Sequence, residues 1–145
     1  MIRINADGKL LDDIVTRYGY SLETGMKEWE EDPRKYRTEY EYDPLNRLTK
    51  VILPDDDQDP LNPYREYIFD DHNNRCDYYN ENRHKTTFNF DGLGRLVSVV
   101  KGSSGENKTE YVYDELGRIK KVIDPRENET TYEYDYLYRV TKRRL

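Results

Sequence analysis

An all-β fold of tandem β-hairpins is predicted, and three observations predict it. Short stretches such as Thr109-Glu110-Tyr111-Val112-Tyr113 alternate with the period of a strand, so that 109, 111 and 113 share one face. Each stretch runs into turn chemistry, as in Asp114-Glu115-Leu116-Gly117. The combination then returns along the chain. "TEYEYDPLNRLTKVILPD" at 38–55, "TTFNFDGLGRLVSVVKG" at 86–102, "TEYVYDELGRIKKVIDP" at 109–125 and "TTYEYDYLYRVTKRRL" at 130–145 superimpose without a gap, and "YREYIFDDHNNRCDYYNEN" at 64–82 joins them with one extra residue in its turn.

The elements follow in order. Residues 1–35 read as a degenerate N-terminal repeat, with a strand near 14–20, a turn at 21–25 and a short strand at 26–30. Leu10, Leu11, Ile14 and Val15 also fit one helical stripe capped by Asp7; the strand is favoured. Residues 36–145 divide into units near 38–63, 64–85, 86–108, 109–129 and 130–145. Within a unit the aspartate accepts from backbone groups just ahead of it, and Gly117 or Gly94 supplies positive φ at little cost. Asn46 tolerates that region, whereas Tyr138 is a misfit, so a distorted turn or a less well formed end is expected there. After the turn a second strand runs to a polar break such as Pro125-Arg126-Glu127-Asn128-Glu129. "PDDDQDPLNPY" and "GSSGENK" read as surface insertions.

The aspartates Asp43, Asp70, Asp91, Asp114 and Asp135 are spaced by 27, 21, 23 and 21 residues. Arg47, Arg95, Arg118 and Arg139 stand four positions after four of them, and Arg75 stands five after Asp70. A guanidinium brought back to the carboxylate by the bend would fix turn geometry more than it would add stability. These pairs are therefore expected to be structural.

Composition narrows the function classes. Of the 145 residues 34% are hydrophobic and 37% charged, with 15 tyrosines against 3 phenylalanines and 1 tryptophan. Apolar contact must then come mainly from rings whose hydroxyl needs a partner, which suits a thin sheet better than a thick globule. The formal charge is −6 and the bases are dispersed, which argues against nucleic acid as a partner. The basic tail Lys142-Arg143-Arg144 reads as a strand end or a cut point. Cys76 is the one cysteine, so no internal disulfide is expected. No signal peptide or long apolar span is visible in these residues.

The repeated Tyr-X-Tyr-Asp, two residues, Gly-Arg-Leu resembles the YD repeat of the Rhs family, which includes bacterial Rhs and wall-associated polymorphic toxins, the shell subunits of insecticidal toxin complexes, and teneurins. The match rests on Tyr40, Tyr42 and Asp43 with Arg47; on Phe90 and Asp91 with Gly94 and Arg95; on Tyr111, Tyr113 and Asp114 with Gly117 and Arg118; and on Tyr132, Tyr134 and Asp135 with Arg139. Phe69, Asp70 and Arg75 form a looser copy. The resemblance implies that the hairpins join side by side in a curved antiparallel sheet, a segment of a spiralling β-shell, and that the chain is a non-enzymatic scaffold that encloses or presents a toxin or effector cargo. Its partners would be neighbouring repeats of the parent protein and an enclosed toxin domain, and the parent would be a secreted or cell-surface bacterial protein. Five repeats are fewer than a closed shell needs, so a slice of wall is expected. Its open edges would self-associate unless guarded by Lys9, Asp12 and Asp13 at one end and Arg143 and Arg144 at the other.

His72, His84, Cys76 and Asp77 supply too few Cys and His ligands for a structural zinc, and both histidines are expected in exposed turns. Asp55, Asp57 and Asp59 occupy offsets 1, 3 and 5 of a calcium loop with Glu66 at offset 12, but Pro60 stands where the bend needs Gly. The expectation is a solvated turn with no metal or other cofactor; low-affinity calcium binding is the alternative. No glycine-rich phosphate loop is present, and no enzyme is expected. The rival class is an adhesive or carbohydrate-binding surface, with Tyr78 and Tyr79 as its candidates to meet a glycan or receptor, because adjacent strand residues point to opposite faces.

Overall fold

The computed structural model describes residues 14–54 and 62–145, and all of its regular structure is strand. Among the described residues there are twelve strands, β1 to β12 in chain order, and the pairings described within the two units are all antiparallel. Two compact units divide the chain, Met1–Arg65 and Glu66–Leu145.

The first unit contains β1 (Arg17–Tyr20), β2 (Lys27–Glu31), β3 (Arg37–Tyr42) and β4 (Leu48–Ile52). The degenerate N-terminal stretch is thus a hairpin, β1–β2, and not a helix over its described part. Strand β1 begins at Arg17; Ile14 and Val15 are exposed and outside it. Gly19 faces Trp29 so closely that an added Cβ would lie 2.0 Å from the indole Nε1. The absent side chain lets the indole lie over the neighbouring backbone, with Arg37 stacked on it at 4.4 Å. In β3, Thr38, Tyr40 and Tyr42 are half-buried while Arg37, Glu39 and Glu41 are exposed, as period-two alternation requires.

The second unit takes in most of β5 (Tyr64–Asp70), then β6 (Arg75–Tyr79), β7 (Lys85–Phe90), β8 (Leu96–Lys101), β9 (Asn107–Tyr113), β10 (Ile119–Ile123), β11 (Glu129–Tyr134) and β12 (Val140–Arg144). Registers separate its two faces. Phe88 pairs with Cys76 and Val99, and Val122 pairs with Tyr111 and Thr130, which gathers rings and branched chains on one side. Asp77 pairs with Thr87, and Asn89 with Ser98, on the other.

No described hydrophobic side chain is fully buried; the two buried residues are polar, Asp77 at 5% exposure and Ser98 at 6%. The thin sheet expected from the tyrosine-rich composition is what forms. Among the described residues stability must come from cross-strand ring contacts, the hydrogen-bond ladder and the turns, because those residues enclose no apolar core to supply it.

Candidate functional site: the aspartate turns

One five-residue turn recurs after Tyr42, Phe90, Tyr113 and Tyr134. The aspartate N–H donates to the arginine carbonyl four residues on, at 3.0 Å for Asp43 and 2.9 Å for Asp91, Asp114 and Asp135. The residue three positions on donates back to the aspartate carbonyl at 2.9–3.1 Å. Around Asp114, Oδ1 accepts the N–H groups of Leu116 and Arg118 at 2.9 Å each, while Oδ2 accepts Arg118 Nε at 2.7 Å. The same three side-chain bonds occur at Asp43, Asp91 and Asp135. A short carboxylate, followed by a residue able to hold positive φ, converges these donors on two oxygens.

That residue is Asn46, Gly94, Gly117 or Tyr138, with φ of 62°, 76°, 78° and 63°. Tyr138 therefore adopts the same turn, and the distortion expected there does not occur. Its bonds to Asp135 are intact, so the side chain is carried in a left-handed conformation that costs roughly 1–2 kcal/mol.

Each of these four hairpins has a register shift immediately beside its turn, as between Glu41 and Tyr42 or between Asn89 and Phe90. It is a β-bulge, which increases local twist. Hairpin β1–β2 shares the shift, between Gly19 and Tyr20, with Ser21 replacing the aspartate and accepting from Glu23 and Thr24. The looser copy, β5–β6, has no shift: Asp70 pairs directly with Arg75 and holds Asn73 through its side chain. Its extra residue replaces the bulged turn with a different loop.

The ionised carboxylates are favoured. For Asp43, Asp91 and Asp135 the backbone N–H of the following arginine is the largest cause, with its guanidinium adding to it, and the carboxyl is held below its ordinary value. At Asp114 loss of solvent pushes upward, but the Arg118 bonds outweigh it and the net direction is again down.

Two features escape a reading of the sequence. The first is that the last aromatic residue of a strand fastens the preceding hairpin. Tyr113 donates its hydroxyl to the Leu96 carbonyl at 2.8 Å and lies under Arg95 at 4.7 Å. Tyr134 does the same to Ile119 at 2.7 Å, under Arg118 at 4.8 Å. Tyr42 reaches the Lys27 carbonyl at 2.9 Å. Phe90, lacking a hydroxyl, cannot. The second is that the return turns reuse the cap: Asp32, Asn80 and Asp124 each accept two backbone N–H groups ahead of them through Oδ1. Pro33 and Pro125 one position after the aspartate were the sequence signal, since proline is preset for that place.

A polar network occupies the face opposite the rings. Asp77 accepts Thr87 Oγ1 at 2.7 Å and meets Lys85 at 2.9 Å, with Arg75 at 3.7 Å. Burial pushes its carboxyl up, but Thr87 and Lys85 prevail and hold it low.

The remaining candidates are placed as follows. Tyr40 lies under Lys27 at 4.3 Å, and Tyr111 and Tyr132 are half-buried on the ring face. Phe69 pairs with Cys76. Tyr78 stacks on Tyr67 with ring centres 5.0 Å apart, and Tyr79 carries Arg83 at 4.8 Å. His72 and His84 are exposed. Asp55, Asp57 and Asp59, like Lys9, Asp12 and Asp13, lie outside the described residues. Among the described residues no group of three or more His, Cys, Asp or Glu is placed to hold a metal ion.

Residues 107–145 match the family model described as RHS Repeat. No curated protein sequence matches the chain. Among solved structures it is similar to TcdB2-TccC3 without the hypervariable C-terminal region, at a TM-score of 0.71 and 18% identity over 90% of this chain and 7% of that one. TcdB2-TccC3 gives 0.70 and 16% over 96% and 9%, and TcdB2-TccC3-Cdc42 gives 0.68 and 18% over 90% and 7%. The chain thus spans less than a tenth of the length of these proteins, and at such identities the likeness is one of fold.

Proposed function

We propose that this chain, which is Rhs/YD-repeat-like, works as a non-enzymatic structural scaffold, a wall segment of a shell that encloses or presents a toxin or effector cargo. The observation that carries this is the tyrosine staple. Each staple fastens a strand to the turn of the hairpin before it, so the sheet extends by a local rule and needs no enclosed core. The partners are then neighbouring repeats, with a cargo domain on one face, in a secreted or surface-exposed bacterial protein associated with toxin delivery.

The chemistry of the turns agrees. Both oxygens of each turn aspartate are occupied by donors from its own loop, and a carboxyl held below its ordinary value is a poor proton carrier at neutral pH. The Tyr79 ring, the rival candidate for a sugar platform, already carries Arg83.

The test is the solution mass of the purified chain by size-exclusion chromatography with light scattering, over a tenfold concentration range. A wall segment gives dimers or a ladder that grows with concentration, because unpaired strand edges recruit other strands. A sharp monomer throughout, with saturable glycan binding lost in folded Tyr79→Ala, would favour an adhesive module instead.

A further inference from the structure

A concavity of about 460 Å³ lies between two neighbouring tips of the second unit, at the end of the strands away from the aspartate turns. The β6–β7 tip supplies Arg83, His84 and Lys85, and the β8–β9 tip supplies Lys101, Ser103 and Asn107. The two are held side by side, because Gly102 N–H donates to the Lys85 carbonyl at 2.8 Å. Register sets Thr86 opposite Lys101 and Lys101 opposite Asn107, so a hydroxyl, an ammonium and an amide stand in one cross-strand row on the ring face.

Charge sets this place apart. No carboxylate lines it, although the chain carries −6 overall, and Glu81 and Glu106, the acids of the two tips, are outside the lining. By contrast, Glu30 and Asp32 line the concavity at the β2–β3 turn, and Asp124 and Glu129 the one at the β10–β11 turn. The caps repeat the contrast. Asn80 Oδ1 accepts the His84 N–H at 2.8 Å, just as Asp32 accepts Tyr36 at 3.0 Å and Asp124 accepts Asn128 at 2.9 Å. The β6–β7 turn thus keeps the cap with an amide where its two counterparts carry a carboxylate. Arg83 meets Glu66 at 2.8 Å and Lys85 meets Asp77 at 2.9 Å. Lys101 and His84 are exposed, and no carboxylate among the described residues pairs with either.

We propose that this concavity binds a tetrahedral oxyanion, the phosphate or sulfate group of a small ligand. Lys101 supplies the charge, and the His84 ring, the Thr86 and Ser103 hydroxyls and the Asn107 amide supply neutral donors to the remaining oxygens. A cation would find no carboxylate there. A wall segment and a free module would carry the site equally.

The test is amide NMR on the isotope-labelled full chain, with inorganic phosphate and sulfate titrated separately at an ionic strength held constant by chloride. The expected result is saturable shifts centred on His84–Thr86 and Lys101–Asn107, and the salt that saturates at the lower concentration identifies the anion. Lys101→Gln should bind about tenfold more weakly, the loss expected for one charge-assisted hydrogen bond. Asn80→Asp keeps the capping oxygen and adds the carboxylate of the other two turns, and should weaken binding roughly threefold or more. Lys101 is exposed, so its replacement tests the site even where the Asn80 variant folds poorly. Shifts that grow without saturating, shifts equally large at Lys142–Arg144, or the same affinity in Lys101→Gln as in the unaltered chain would each overturn the proposal.

Discussion

At Asp43, Asp91, Asp114 and Asp135 one carboxylate oxygen accepts two backbone N–H groups and the other holds an arginine, so a single side chain sets the path of five residues. Asp114→Ala is expected to destabilise the chain more than Tyr113→Phe does, because it strands several donors where the tyrosine change removes one. For Tyr113→Phe the loss is about 1 kcal/mol; urea denaturation of both variants checks the order. Tyr138→Gly is expected to stabilise by about 1 kcal/mol, since it relieves a positive φ of 63° and leaves the Asp135 bonds in place. The carboxyls of Asp43, Asp91, Asp114, Asp135 and Asp77 all sit below the ordinary 3.8 when the chain is folded. An unfolded chain then binds more protons than the folded one near and below that value. Their contribution is full above it and is lost as pH falls through the lower folded values. Thermal midpoints should therefore hold nearly level from neutrality down to roughly pH 5 and drop steeply below it.

At the scale of the hairpin, the turn and its bulge travel together in four copies, and the serine-capped N-terminal copy keeps the bulge. The strand period, the turn and the Asp–Arg pair were legible in sequence because all three are local, within five residues. The tyrosine staple was not. Tyr113 and Leu96 are 17 residues apart, and their contact depends on the strand registers between them, which a periodic pattern does not specify. Asp77 was hidden for the same reason: its partners Thr87 and Lys85 come from the next strand, and in sequence it was one more acid in an acidic chain. Replacing Thr87 by Val keeps the shape and removes the hydroxyl, and should cost about 1–2 kcal/mol. Lys85 and Arg75 would then be the remaining partners of the carboxylate.

For the molecule as a whole, the absence of any fully buried hydrophobic side chain among the described residues means that stability lies in contacts between successive hairpins. Such an array approximates a one-dimensional stack, where each unit leans on its neighbours. Composition foretold this, since tyrosine is a poor filler for a closed core and a good cover for a half-exposed sheet. The measurement that tests the account most directly is amide hydrogen exchange on the intact chain and its Tyr113→Phe variant. If staples couple the hairpins, exchange in the variant quickens at Asp91–Leu96, in the preceding turn, as well as near residue 113. A change confined to β9 and its own turn would contradict the coupling and leave each hairpin to stand by itself.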